Sequence, residues 1–198
     1  MKQTIKNSRL ATEMWRKKYQ RVSPFRGGFA GVKQNNKWGF VNAKGEEILS
    51  PQYESIGDFS EGYALVVQDD KFGFVNEKGE VVIPIKYDWV GNFSQGLATA
   101  RLDKKMGYIN QKGEEVVPIK YDKIGIFGPG YFEDLTPAAI NNRWGYVNSQ
   151  GEEVVPLIYD YVTIQQMPEA IDLLAFKLKV SPEQAQNLLL EELKKGLK

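Results

Sequence analysis

Apolar residues in this chain fall in short runs separated by turn-forming residues. Tyr63-Ala64-Leu65-Val66-Val67 leads into the polar pair Asp69-Asp70, then Phe72 to Asn76, then Glu77-Lys78-Gly79, then Glu80 to Ile83. Runs this short and rich in β-branched and aromatic residues predict three antiparallel strands joined by two turns. Asp69-Asp70 suits a two-residue hairpin, because Asp and Asn tolerate the positive φ that such a turn requires. Gly79 supplies the left-handed residue of the second loop. Pro84 predicts the end of the third strand, since it removes a ladder donor.

The whole pattern recurs. Trp38-Gly39-Phe40-Val41-Asn42 returns as Phe72-Gly73-Phe74-Val75-Asn76, Met106-Gly107-Tyr108-Ile109-Asn110 and Trp144-Gly145-Tyr146-Val147-Asn148. Gly45, Gly79, Gly113 and Gly151 keep step, each followed by Glu. Tyr53, Tyr87, Tyr121 and Tyr159 do so with an acid next. Four units follow, 25–56, 59–90, 93–124 and 127–162, opened by Phe25, Phe59, Phe93 and Phe127. These Phe residues are expected to anchor the Gly-rich corners to the core. Three short strands cannot bury their own face, so the units must stack. The expected fold is mainly β: four three-stranded antiparallel repeats in a solenoid-like array, with an open array favoured over a closed ring.

Helices are expected at both ends. Residues 8–20 read as a short helix after Ser8, within an N-terminal arm of residues 1–24. Residues 163–198 read as a helical hairpin. Its first helix spans 168–180, with Ile171, Leu174, Ala175 and Leu178 on one face. Its second opens on Ser181-Pro182-Glu183-Gln184, a capping box with Pro at the first helical position, and runs to about Lys195.

Trp38-Gly39, Trp144-Gly145, the aligned Gly-Glu turns and the Pro-x-x-Tyr-Asp stretch (Pro84 to Asp88, Pro118 to Asp122, Pro156 to Asp160) resemble the WG-repeat family of bacterial proteins, over residues 25–162, about 70% of the chain. Phe72 and Met106 depart from the Trp of the motif, which keeps volume and loses the indole N–H. The resemblance implies a binding or scaffolding module and no common reaction, so no catalytic residue carries over.

Composition narrows the chemistry. The 198 residues include no Cys and no His. Disulfides, thiolate nucleophiles, Cys or His metal sites and a Ser-His-Asp triad are excluded. No phosphate loop, dinucleotide fingerprint or EF-hand loop is present among the scattered acids Asp69, Asp70, Asp103, Asp122 and Asp160. No catalytic residue, cofactor or metal is expected. No apolar leader follows Met1, and no run approaches the ~20 residues of a membrane span, so a cytoplasmic protein is expected. The net charge of +1 is a cancellation. Residues 1–33 hold nine basic groups and one acid, +8, and the remaining residues hold 17 basic and 24 acidic groups, −7.

Three surfaces are candidates for binding. The basic arm carries Arg9, Arg16, Lys17, Lys18 and Arg21, interleaved with Trp15, Tyr19 and Phe25. It suits nucleic acid or another anionic surface, or self-association with the acidic body. The 38-residue spacing before Trp144 marks an insertion whose Tyr131, Phe132, Glu133 and Asp134 form a candidate contact tip. The repeated aromatics suit either glycan stacking in a cell-envelope module or, the favoured reading, core packing. The C-terminal helix pair also resembles a helix-turn-helix, but its second helix begins with Glu183 and offers no early cation to phosphate. The expected partner is another protein, with nucleic acid the first alternative.

Overall fold

The computed structural model describes residues 14–126, 135–161, 168, 179 and 181–195. Four antiparallel sheets of four strands each follow one another along the chain. The first holds β1 (Arg21–Val22), β2 (Phe29–Gln34), β3 (Lys37–Asn42) and β4 (Glu47–Tyr53), and the second β5 (Ser55–Ser60), β6 (Tyr63–Gln68), β7 (Lys71–Asn76) and β8 (Val81–Tyr87). The third holds β9 (Trp89–Val90), β10 (Leu97–Leu102), β11 (Lys105–Asn110) and β12 (Glu115–Tyr121). The fourth holds β13 (Lys123–Ile124), β14 (Leu135–Ile140), β15 (Arg143–Asn148) and β16 (Glu153–Tyr159). Strands pair in sequence order within each sheet.

The count per sheet corrects the expected three strands. Val22, Ile56, Val90 and Ile124 pair with Val32, Val66, Ala100 and Ala138, so the residues after each column Tyr form the outer strand of the following sheet. In the first, third and fourth sheets that strand is two residues long, too short for any run to reveal.

The turns follow the sequence chemistry. Asn35, Asn36, Asp69, Asp70, Asp103, Lys104, Asn141 and Asn142 all take φ between +49° and +65°, as two-residue turns of this hand demand. Gly45, Gly79, Gly113 and Gly151 take φ near +80° in the second turn. A side-chain latch closes that turn in every repeat. Asn76 Oδ1 accepts from the Lys78 and Glu80 amides at 3.0 Å, and its Nδ2 donates to Glu80 Oε2 at 2.7 Å. Asn42–Glu46, Asn110–Glu114 and Asn148–Glu152 repeat the arrangement. The aligned Asn and Glu columns are therefore turn locks.

Pro84 does not end its strand. Pro51, Pro84, Pro118 and Pro156 lie inside β4, β8, β12 and β16. These strands sit at the sheet edge, where a missing N–H leaves no partner unsatisfied. The register slips beside each motif glycine, bringing the edge strand across it. A Cβ on Gly39 would stand 2.2 Å from the Leu49 carbonyl oxygen, and one on Gly145 2.2 Å from that of Val155. The Gly of the motif is required by this backbone crossing.

The chain divides into two compact units, residues 1–102 with 110–114, and 103–109 with 115–198. In the first, the core between the first two sheets is Phe40, Leu49, Tyr53, Ala64, Val66 and Val75. Two corner Phe residues anchor it as expected: Phe59 packs on Phe29 and Phe40 at 4.4 and 4.8 Å, and Phe93 on Phe74 at 4.7 Å. Phe25 does not: it is 37% exposed and meets Trp15, and Phe127 lies outside the described residues. In the second, Leu135, Ala139, Trp144, Tyr146 and Val155 form the corresponding cluster.

The expected helix 8–20 is, in its described part, a 3-10 turn at Trp15–Lys18 followed by extended chain. The reason is the repeat itself. Tyr19 stands 34 residues before Tyr53, and the Gln20 amide donates to Lys33 O at 2.8 Å as Glu54 does to Val67 O at 2.9 Å. The segment repeats the end of a unit, and β1 is the outer strand of the first sheet. At the other end, α1 (Pro182–Lys195) starts on the expected capping box. The Gln184 amide donates to Ser181 Oγ at 3.2 Å and the Ser181 amide to Gln184 Oε1 at 3.0 Å. Ala185 is fully buried, and α1 packs near β16. The remainder of the expected hairpin, 168–180, lies outside the described residues apart from Pro168 and Lys179. No helix among the described residues is long and apolar enough to cross a membrane.

Candidate partner-binding cleft

A cleft of about 200 Å³ opens in the first unit, between the first sheet and β5. Trp38 on β3 is its aromatic wall. Gly31 comes from β2, Ser23 from the residue after β1, and Ser55, Ile56 and Asp58 from β5. Local chemistry leaves it open. Position 31 is Gly where the corresponding residues of the later repeats are Leu65, Thr99 and Pro137. A Cβ there would meet Ile56 Cδ1 at 3.0 Å and Ser23 Oγ at 3.3 Å. Ser23 Oγ is fixed by the Gly31 amide at 2.8 Å.

Two cations stack on the indole. The Arg21 guanidinium carbon lies 5.8 Å and Lys33 Nζ 5.6 Å from the Trp38 ring centroid, within cation–π range. They are directly opposed across the β1–β2 pair. Asp58 at the rim is paired with Arg26 at 2.9 Å.

The same column has another outcome in the second unit. Trp144 also carries a cation, Lys123, at 5.7 Å. Its open side is covered by Tyr161, whose ring centroid is 4.9 Å away, and Trp144 is only 9% exposed. Tyr161 follows Trp144 by 17 residues, as Ser55 follows Trp38. Ser55 is exposed and Trp38 half-buried. Tyr161 is helical where Ser55 lies in β5, so the two tryptophans differ in both the side chain and the backbone at this repeat position.

The basic arm is engaged with its own chain where it is described. Lys18 Nζ and the Tyr19 hydroxyl both donate to Glu47 Oε2 at 2.8 Å, and Ser50 Oγ donates to Oε1 at 2.7 Å. Those bonds, Lys18 first, then Ser50 and Tyr19, hold the Glu47 carboxyl down at about 2. In the second unit Lys120 pairs with Glu153 at 2.9 Å, in the same two columns. Arg16 lies over Trp15 at 5.2 Å and over Phe25 at 5.8 Å, and Lys17 is exposed. Arg9 and the tip residues Tyr131, Phe132, Glu133 and Asp134 lie outside the described residues.

The motif residues serve structure. Phe40, Phe74, Tyr108 and Tyr146 are at most 5% exposed, so that aromatic column is core and presents no shelf. Burial pushes the Tyr146 phenol up to about 12. Among the described residues no three acidic side chains converge as metal ligands would.

Sequence reasoning missed the cleft. Its signal was present: Arg21 stands 17 residues before Trp38, and Lys123 fills that column before Trp144 once the four-residue insertion is discounted. Ser55 and Trp89 occupy it before Phe72 and Met106. The cation accompanies the indole.

A repeat model described as "WG containing repeat" matches residues 17–38, 38–72, 72–105, 106–133 and 144–164. Comparison with curated proteins finds no match. Comparison with solved structures finds "KlHsv2 with loop 6CD replaced by a Gly-Ser linker", 12% identical, with a TM-score of 0.42, covering 66% of this chain and 49% of that one. A second, titled "Crystal structure of the eukaryotic initiation factor", is 12% identical with a TM-score of 0.41, covering 66% of this chain and 40% of that one. The chain spans about half or less of the length of these structures.

Proposed function

The chain belongs to the WG-repeat family, and from that premise we propose that it is a non-catalytic module that binds another protein through the Trp38 cleft. One observation carries the reading. Trp38 is partly buried under two cations and lines a cleft, while its counterpart Trp144 is covered by the chain's own Tyr161. A large aromatic beside arginine at a concave, partly apolar surface is the usual composition of an interaction hot spot. The test is recovery of a protein, identified by mass spectrometry, on the immobilised full chain, before and after nuclease treatment. Trp38→Phe, the residue of the second repeat, should weaken recovery and leave the fold intact. A module that retains no protein, or retains it equally with Phe at 38, would sink the reading.

The alternative is a nucleic-acid or anionic-surface binder through the arm. It is favoured by the exposure of Arg16, Lys17 and Arg21, and weakened by the engagement of Lys18 with Glu47. It predicts binding that falls steeply with salt and disappears on removal of residues 1–24.

A further inference from the structure

Resting on the Trp38 cleft as the binding surface, we propose that its occupant is an aromatic side chain, tyrosine-like, flanked by carboxylates on an acidic segment of a partner protein. Three observations converge.

The first is an internal precedent. Tyr161 covers Trp144 from the repeat position that Ser55 occupies beside Trp38. Against the equivalent indole of Trp144 the chain seats a phenol ring, tilted by 51° with centroids 4.9 Å apart and carried by a helical residue. Ser55 leaves the corresponding space empty. A cavity of roughly 150 Å³ accepts one benzene ring, and the cleft measures about 200 Å³.

The second is the charge at its edge. Arg21 and Lys33 are paired directly across neighbouring strands. Like charges in that relation are destabilising. The same register pair is Ser55 with Val67, Trp89 with Arg101 and Lys123 with Ala139 in the other sheets, so only the first places two cations together. Among the described residues neither Arg21 nor Lys33 has a carboxylate within 4.0 Å. A carboxylate brought to the pair would relieve that repulsion. Asp58, the acid of the rim, is neutralised by Arg26.

The third is spacing. Both cations approach the Trp38 ring within 6 Å, so an acid adjoining an aromatic seated on that indole comes near them. Aromatic stacking and a charge-assisted pair are satisfied by one short segment.

The experiment measures the fluorescence anisotropy of a labelled peptide, Glu-Asp-Tyr-Asp-Glu, against the full-length protein, with Glu-Asp-Ala-Asp-Glu as control. The Tyr peptide is expected to bind at least tenfold more tightly than the Ala peptide. Ser55→Tyr, which refills the cleft from within, should weaken it at least tenfold with an unchanged melting temperature. Lys78→Ala, in an exposed turn away from the cleft, should leave it intact. Arg21→Ala with Lys33→Ala should weaken it and flatten its salt dependence. The indole N–H resonance of Trp38, assigned by its loss in Trp38→Phe, should shift on titration in the wild type and not in Ser55→Tyr.

Equal affinity for both peptides, no binding at about 1 mM, or binding indifferent to Ser55→Tyr would overturn the proposal. A dimer of the chain itself that dissociates in Ser55→Tyr would also overturn it, by making a second copy the occupant. Should a cellular protein be retained through Trp38 but be indifferent to Ser55→Tyr, the interaction module stands and the aromatic occupant falls. Should no protein be retained at all, both fall.

Discussion

Trp15 lies flat against Gly45: a Cβ built on that glycine would stand 2.3 Å from Trp15 Cδ1. In the second repeat the corresponding Gly79 is backed instead by the Ile48 carbonyl oxygen of the preceding repeat, 2.1 Å from its built Cβ. Trp15 does for the first repeat what an earlier edge strand does for the second.

That relationship predicts a coupled pair. Gly45→Ala meets both a φ of +80° and the indole, whereas Gly62→Ala, at φ +84° with nothing within 4 Å, meets only the backbone term. Gly62→Ala should cost about 1 kcal/mol and Gly45→Ala distinctly more, by urea unfolding. Trp15→Ala should relieve the excess, so that the double mutant is less destabilised than the two single changes would sum to.

The motif glycine makes a harsher prediction. A Cβ on Gly39 would lie 2.2 Å from the Leu49 oxygen and 2.7 Å from the Pro51 nitrogen, both backbone atoms that cannot rotate away. Gly39→Ala should cost at least about 3 kcal/mol in urea unfolding. A loss under about 1 kcal/mol would show that the edge strand can shift.

Glu47 should leave an acid-side signature. Its carboxyl is held at about 2, below its ordinary value of 4.5, chiefly by Lys18 and then by Ser50 and Tyr19. A depressed carboxylate contributes stability above its unfolded pKa and loses it as pH falls toward the folded one. The wild type should therefore lose stability between about pH 4.5 and 2 more steeply than Glu47→Gln. The effect is reduced by salt, because Lys18 is exposed.

Tyr146 should leave the opposite signature. Burial favours the neutral phenol and raises it to about 12 from 10.0. Its contribution is complete below the unfolded value and lost as pH rises through the folded one. In ultraviolet titration of the native protein, Tyr146→Phe should remove a late phenolate step near pH 12 and leave the earlier steps in place.

Much of this fold is legible in the residues. Asn35-Asn36 and its counterparts set the hairpins, Gly45 and its counterparts set the second turns, and Ser181 with Gln184 sets the start of α1, because turn conformation and capping are settled within four residues of chain. The period of 34 predicts stacking. The expectation failed where a partner distant in sequence decides. Val90 and Ile124 become strands only because Ala100 and Ala138 receive them. Pro84 stays in its strand because that strand is an edge. Trp15 turns away from the expected helix because Gly45 offers it a seat. Trp38 and Trp144 are identical as residues, and the tertiary structure makes one open and the other covered, through Ser55 and Tyr161. Local backbone preference is written in neighbouring residues; burial is a property of the surfaces that meet, which the sequence alone does not display.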